Sequence, residues 1–359
     1  MDSIIGILAK DWLEVLKQNH FRIHIGQTPK ALLITFLSRR NTVDHQKEEE
    51  RYGADIEKTQ IDRHPIFILG HWRSGTTFLQ NLMTRDKQFV SPNIFEARNP
   101  HTFLIRHKIF ENNVRKQRAM KRPTDNVQIS MDSPGEEDFA VGVMSLCTPL
   151  LGWMFPKNRD FYERFLTFEE ATSDELERWK YWYLYYLKKL TFKHKKPLLL
   201  KSPVNTARIK HLIQMFPEAR FVHIHRHPFD VYRSTEKMYR TAVRNSAIQH
   251  FNGRDITDDI IDHYQRMHRV YFRDRSLIPA GQLLEIGFAQ LESDPLGTLR
   301  TIYRELNISG FSEAEPAFRS YLEQLQNYQK NQHGQLKEDL KVRLLNAWRQ
   351  SFENWGYEA

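Results

Sequence analysis

The sequence predicts an α/β protein built around a central, mainly parallel sheet, and three observations carry that expectation. Short apolar runs of strand length recur at 66–69, 198–200, 221–224 and 283–286. Helical patterns at roughly 205–216, 229–246 and 257–276 alternate with them, the arrangement of βα units. Three of the four runs end in polar or charged residues: Gly70-His71-Trp72-Arg73, Lys201-Ser202 and His225-Arg226-His227. Such sheets bind ligands at the carboxyl ends of their strands.

Composition sets the outer bounds. A chain of 359 residues that is 40% hydrophobic, with seven Trp and 23 Phe, can bury a sizeable core. Its formal net charge of +9 points to a polyanionic partner, whether nucleotide, nucleic acid or anionic membrane. The single cysteine, Cys147, cannot form an internal disulfide and reads as a small buried apolar residue. No apolar run approaches the ~20 residues of a membrane span. The expectation is a cytoplasmic protein, soluble or peripheral to the inner face of the membrane.

In chain order, residues 1–50 form a basic, helix-prone lead-in, and 51–359 are expected to form the main domain. Within the lead-in, the apolar segment 31–37 lies between Lys30 and the Arg39-Arg40 pair. It reads either as an interfacial anchor or as a helix packed on the domain. His64-Pro65 punctuates the entry to the first strand. Past the loop at 70–77, Phe78, Leu79, Leu82 and Met83 recur at helical spacing. The basic stretch 105–123, with Arg106, Lys108, Arg115, Lys116, Arg118, Lys121 and Arg122, lacks interleaved aromatics and reads as a solvated helix. Acids at Glu136, Glu137 and Asp138 mark a helix start. The aromatic stretch 161–193 reads as a long core helix, Asp294-Pro295 opens another, and 336–355 is a last amphipathic one.

Two motifs carry chemistry. The first is Gly70-His-Trp-Arg73-Ser74-Gly75-Thr76-Thr77, a glycine turn between a strand and a helix start. Free backbone N–H groups and the helix dipole converge there on one spot that suits an anion. The glycine spacing is that of a nucleotide P-loop, yet Thr76 stands where that motif requires lysine, and the nearest cation is Arg73, inside the loop. The second is Arg226 at a strand end, followed by Pro228 and then by Ser234, eight residues after the arginine. A guanidinium fork and a hydroxyl so spaced can converge on one phosphate.

With these residues the sequence resembles the sulfotransferases that use 3′-phosphoadenosine-5′-phosphosulfate (PAPS), in the branch that holds the protein-tyrosine enzymes and many bacterial ones. Arg73-Ser-Gly-Thr-Thr is similar to their 5′-phosphosulfate loop, and Arg226 with Ser234 to their 3′-phosphate motif. The resemblance implies a three-layer α/β/α P-loop-like fold with N-terminal helices added. It further implies transfer of a sulfuryl group from PAPS to a hydroxyl, with Arg73 and the loop residues Ser74, Gly75, Thr76 and Thr77 on the donor. Lys201, 25 residues before Arg226, resembles a transition-state lysine, and Phe288 sits where relatives often have tyrosine near the adenine, with a core position as the alternative. Lys330 and Asn331 resemble a C-terminal segment that reaches the donor, although the usual Arg-Lys-Gly triplet is not present. For the acceptor's general base, Glu96 in Phe-Glu-Ala-Arg98 is the first candidate. Glu136, Glu137 and a histidine such as His71 are rivals, and pairing of Glu96 with a cation is the structural alternative. No metal is expected. A hydrophobic, lipid or steroid-like alcohol is the first expectation for the acceptor, ahead of carbohydrate and peptidyl tyrosine. From other classes, a P-loop kinase or nucleotide hydrolase and a basic nucleic-acid-binding protein remain as alternatives; neither nucleic acid nor a particular oligomeric state is expected.

Overall fold

The computed structural model describes residues 4–114, 120–121, 128–250, 256–325 and 334–358. The expectations for Arg115, Lys116, Arg118, Arg122, Lys330 and Asn331 fall outside these. Six strands occur among the described residues: β1 Ile66–Leu69, β2 Met120–Lys121, β3 Gln128–Ile129, β4 Leu199–Lys201, β5 Arg220–His225 and β6 Leu283–Gly287. The chain divides into two compact units. One comprises Met1–Ile61, Pro92–Lys195 and Tyr239–Arg254; the other comprises Asp62–Ser91, Lys196–Met238 and Asp255–Ala359.

The second unit holds the sheet, in the order β4-β1-β5-β6, every pair parallel. Ile66 and Phe67 lie across from Arg220 and Phe221 on one side and from Leu199 and Leu200 on the other. The period-two alternation of a strand sorts the side chains into two layers. Ile66, Ile68, Val222 and Ile224 pack with Leu79, Leu82, Leu299, Ile302 and Phe318, which come from the helices Thr76–Met83, Pro295–Glu305 and Phe311–Gln324. On the opposite face, Phe67 stacks on Phe221 and meets Phe216, while His223 stacks on Tyr271 and Trp355. Helices therefore cover both faces, which is why β1 reads as an unbroken apolar run. This is the expected α/β/α arrangement.

In the first unit, the helix Ser173–His194 buries Trp179, Tyr183, Tyr186 and Leu190, so its aromatic stripe is core. It begins later than the pattern from 161 suggested. Thr172 accepts from the Glu175 amide and Glu175 reaches back to the Thr172 amide, a capping box that fixes the start. The helix Thr28–Lys58 runs without interruption through residue 50, where the lead-in was expected to end. Its Glu48 pairs with Lys189 with both side chains fully buried, and its Ala31 and Ile34 face inward. The basic segment after 105 gives the helix His107–Val114, but Met120–Lys121 then pairs antiparallel with Gln128–Ile129. A two-residue strand is too short to leave a periodicity of its own, and its state depends on the strand it pairs with.

Candidate active site

The site is built where β1 and β5 end side by side. Gly70 at the end of β1 and Gly75 at the start of the helix Thr76–Met83 have φ of 139° and 106°, backbone that side chains rarely adopt. Space adds a second constraint at both: a Cβ on Gly70 would strike the Ile224 carbonyl, and one on Gly75 would strike the Phe288 ring. The Gly70 amide donates to Thr206 Oγ1 at 2.8 Å, and Ser74 Oγ donates to the His71 carbonyl at 2.8 Å, closing the turn on itself. Gly75 supplies no side chain to cap the helix behind it. The first amides of a helix have no intrahelical acceptor, so those of Thr76 and Thr77 are available to an anion.

The two sequence motifs meet here. Arg73 takes up the left-handed conformation, with φ 71°, and its Nε donates to Ser234 Oγ at 2.7 Å across 161 residues of sequence. Arg226 Nη1 donates to the Arg73 carbonyl at 3.4 Å, and the Arg226 guanidinium lies 4.8 Å from the centre of the Phe288 ring. The loop arginine, the strand-end arginine, the helix serine and Phe288 thus form one cluster. Arg226 Nε is buried and has no hydrogen-bond partner among the described residues. Its nearest carboxylate, Asp230, stands at 3.6 Å and is shared with Arg233. Burial lowers the Arg226 pKa from its ordinary value, and the neighbouring Arg73 and Arg233 lower it further against Asp230 and Glu292. A guanidinium stays charged at neutral pH regardless. The result is a half-buried pair of cations with one buried, unpartnered N–H on Arg226, which suits an anion.

Lys201 ends β4 opposite Ile68, two residues before Gly70, and is 2% exposed. Behind the loop, His71 is packed against His263, Tyr264 and His268. Burial first, then His268 and His263, hold its pKa well below the usual histidine value. Its ring is neutral, and because a carbonyl only accepts, Nδ1 at 2.8 Å from the Trp72 carbonyl carries the proton.

The candidate bases belong to the first unit. Glu96 is completely buried in the short helix Ile94–Arg98. One oxygen accepts from the Asn93 amide at 2.9 Å; the other accepts from Lys193 Nζ at 2.7 Å and His194 Nε2 at 2.8 Å. Burial alone would raise its pKa, but His194 and Lys193 outweigh it and hold the carboxylate below the ordinary value. The partners are Lys193 and His194, 97 and 98 residues away in sequence. Glu137 is likewise buried and accepts from the Tyr183 hydroxyl at 3.3 Å, whereas Glu136 lies one residue earlier at the helix cap. The Tyr186 hydroxyl, buried with no hydrogen-bond partner among the described residues, is raised well above its ordinary value by burial and then by Glu96 and Glu137.

The sequence did not single out the clasp beneath Arg226. His225 Nδ1 and the Tyr357 hydroxyl are 2.7 Å apart, His227 Nε2 reaches the Glu358 carbonyl at 3.0 Å, and the His225 and Trp355 rings stack at 4.7 Å. Burial pulls His225 down to about 4, so it is neutral, and pushes Tyr357 up to about 12. The C-terminal residues therefore brace the turn that carries Arg226. The signal available was the aromatic tail Trp355-Gly-Tyr357. Among the described residues no cluster of three or more His, Cys, Asp or Glu could hold a metal ion.

The site thus joins a parallel α/β sheet and a lysine-less glycine loop to a cluster of two arginines and a serine, an arrangement suited to binding an anionic ligand. A family model described as "Sulfotransferase family" matches residues 65–313. The omega-hydroxy-beta-dihydromenaquinone-9 sulfotransferase Stf3 of Mycobacterium bovis is 32% identical over 359 residues, 99% of this chain and 91% of that protein. The crystal structure of the sulfotransferase STF9 from Mycobacterium avium matches with a TM-score of 0.72 at 18% identity, covering 98% of this chain and 97% of that one. That of STF1 from Mycobacterium tuberculosis matches with a TM-score of 0.64 at 18% identity, covering 94% and 92%. The chain belongs to the sulfotransferase family. It is an enzyme that moves a sulfuryl group from PAPS to a hydroxyl acceptor. The residues present fit such a donor: the buried Arg226 Nε, without a hydrogen-bond partner among the described residues, and the helix start at Thr76, without a side-chain cap, would suit phosphate and sulfate oxygens.

Proposed function

We propose that this sulfotransferase acts on a hydrophobic, lipid-like alcohol at the cytosolic face of a membrane. The observation that carries this reading is the near full-length match to a sulfotransferase named for a hydroxylated menaquinone derivative. The abundance of aromatic residues and the basic, apolar lead-in support it.

In this reading Arg73 and the amides of Ser74, Gly75, Thr76 and Thr77 hold the phosphosulfate end of the donor. Arg226 and Ser234 hold the 3′-phosphate, and Phe288 lies beside the adenine. The acceptor oxygen forms a bond to sulfur as the bond from sulfur to the bridging phosphate oxygen breaks, and the electron pair leaves with that oxygen. Charge grows on the bridging oxygen, where Lys201 neutralises it. As in phosphoryl transfer, most of the catalysis then comes from positioning and electrostatics. The acceptor's proton goes to a carboxylate. Glu96 is the first assignment because Lys193 and His194 keep it ionised, the state a base requires. Taking a proton obliges it to release one of those partners, so Glu137 is the second assignment.

A labelled-sulfate transfer assay over ω-hydroxylated prenyl quinols, sterols, simple phenols, glycans and tyrosine peptides tests the acceptor class. Lipid alcohols should show kcat/KM about tenfold or more above the rest, a margin of ~1.4 kcal/mol. Faster sulfation of glycans or tyrosine peptides would overturn the reading.

A further inference from the structure

In the first unit, one surface has no role in the chemistry described so far. From Val15 to Val43 the chain has no Asp or Glu, and it carries Lys17, Arg22, Lys30, Arg39 and Arg40. This segment folds as the end of the helix Ala9–Gln18, the short turn of helix Ile25–Gln27, and the first half of the helix Thr28–Lys58. On that last helix Ala31, Ile34, Ser38 and Asn41 are buried. The other side is the reverse of what a water-facing helix shows: Leu32, Leu33 and Phe36 are 64%, 56% and 68% exposed. Ile25, just before the helix, is 84% exposed, and Phe21 is exposed as well. Leu32 and Phe36 are four residues apart and Leu33 lies beside them, so they share one helical face, with Arg39 and Arg40 a turn further on. Single exposed apolar residues are ordinary, whereas a clustered row rimmed by one sign of charge marks an interaction surface.

The surface is preformed. Trp12 Nε1 donates to Thr35 Oγ1 at 2.9 Å, Lys30 Nζ donates to the Ser246 carbonyl at 3.0 Å, and the buried Glu48–Lys189 pair anchors the helix further along. Docking therefore needs no coupled folding. Among the described residues no helix is long and apolar enough to cross a membrane, so a helix of this kind lies in an interface rather than through it. Charge chooses the occupant. Two copies meeting through this face would bring like-charged cation clusters together with no carboxylate from this segment to offset them. A bilayer with anionic headgroups matches both the apolar row and the cations.

We propose that Phe21, Ile25, Leu32, Leu33 and Phe36, rimmed by Arg22, Arg39 and Arg40, dock the protein on an anionic lipid bilayer. The apolar side chains enter the interface and the guanidinium groups meet lipid phosphates. This deepens the lipid-alcohol reading and rests on it for its purpose, which is to hold the enzyme where a membrane-dissolved acceptor resides.

The test is co-sedimentation of the full chain with vesicles of phosphatidylcholine alone or mixed with phosphatidylglycerol, without donor or acceptor. Wild type should bind the mixed vesicles, and more weakly as salt rises. Leu33→Glu with Phe36→Glu should lower that binding at least tenfold, and Arg39→Glu with Arg40→Glu should remove the preference for anionic lipid. All four positions are exposed, so circular dichroism and the melting temperature should match wild type. Both variants should sulfate a detergent-dispersed acceptor at the wild-type rate and a vesicle-borne one more slowly. Equal vesicle binding by wild type and Leu33→Glu/Phe36→Glu would overturn the proposal. So would wild type that ignores phosphatidylglycerol, or an oligomer that these substitutions dissociate. The acceptor panel separates the two readings: vesicle binding with glycan turnover sinks the acceptor class alone, and lipid turnover without vesicle binding sinks the surface alone.

Discussion

In the first unit Lys189 is fully buried against Glu48, and Lys193 and His194 enclose the buried Glu96. In the second, Arg73 donates to the neutral Ser234 hydroxyl, and Arg226 spans the Phe288 ring with its nearest carboxylate 3.6 Å away. The chain thus places cations in two kinds of buried or half-buried environment. Where a carboxylate answers each cation at hydrogen-bond distance, the pair ties helices together and its charges are spent. Where the neighbours include a hydroxyl, an aromatic face and another arginine, and the carboxylate stands at 3.6 Å and is shared with Arg233, the local field suits a ligand anion. A net charge of +9 could not separate these roles, because it counts both kinds alike.

Substitutions test that contrast. Arg73→Ala should have the largest effect, an approximately thousandfold loss of kcat from removing charge stabilisation at the reacting group, with the melting temperature close to wild type. Comparing steady-state rates with thermal melts checks both parts. Glu48→Ala should do the opposite. Leaving Lys189 buried and unpaired should cost about 3–5 kcal/mol of stability, read by denaturant unfolding, while donor affinity in the folded protein stays the same.

Glu96→Gln sits between the two. Losing the charge that Lys193 and His194 face should cost about 2 kcal/mol. The sign with pH follows from the depressed carboxyl. Its stabilisation is complete above the unfolded value of 4.5 and is lost as the pH falls through the lower folded pKa. The wild-type advantage over Glu96→Gln should therefore shrink on acidification, measured as the difference between their unfolding free energies from pH 7 to 3. Loss of transfer beyond what the unfolded fraction explains would mark Glu96 as the base. Transfer that simply tracks folding would pass that role to Glu137. Tyr357→Phe should be the mildest, about 1 kcal/mol from one hydrogen bond, with donor affinity weakened a few fold because the turn bearing Arg226 loses a brace.

Much of the second unit was legible because its information is local. Residues 66–83 hold a strand, a glycine turn and a helix in one stretch, and Arg226 and Ser234 lie eight residues apart on one strand-to-helix turn. The βα alternation gave the parallel sheet, though not its order, β4-β1-β5-β6, which depends on non-local pairing. The partners of Glu96 were out of reach for the same reason: Lys193 and His194 belong to a helix nearly a hundred residues away, while the adjacent Arg98 drew attention. The clasp of Tyr357 on His225 spans 132 residues and is equally invisible to spacing. The alternating character of the lead-in helix also emerged only in three dimensions, since buried Ala31 and Ile34 and exposed Leu32, Leu33 and Phe36 form a single apolar run in sequence.

The central claim is that Arg226 and its cluster form the donor's phosphate site, and calorimetric titration of 3′,5′-bisphosphoadenosine into metal-free wild type and Arg226→Ala tests it most directly. Wild type should bind without magnesium, and Arg226→Ala should bind about a hundredfold more weakly, the ~3 kcal/mol of a lost charge-assisted contact. Equal affinity in the two proteins, or binding that appears only with magnesium, would contradict the account.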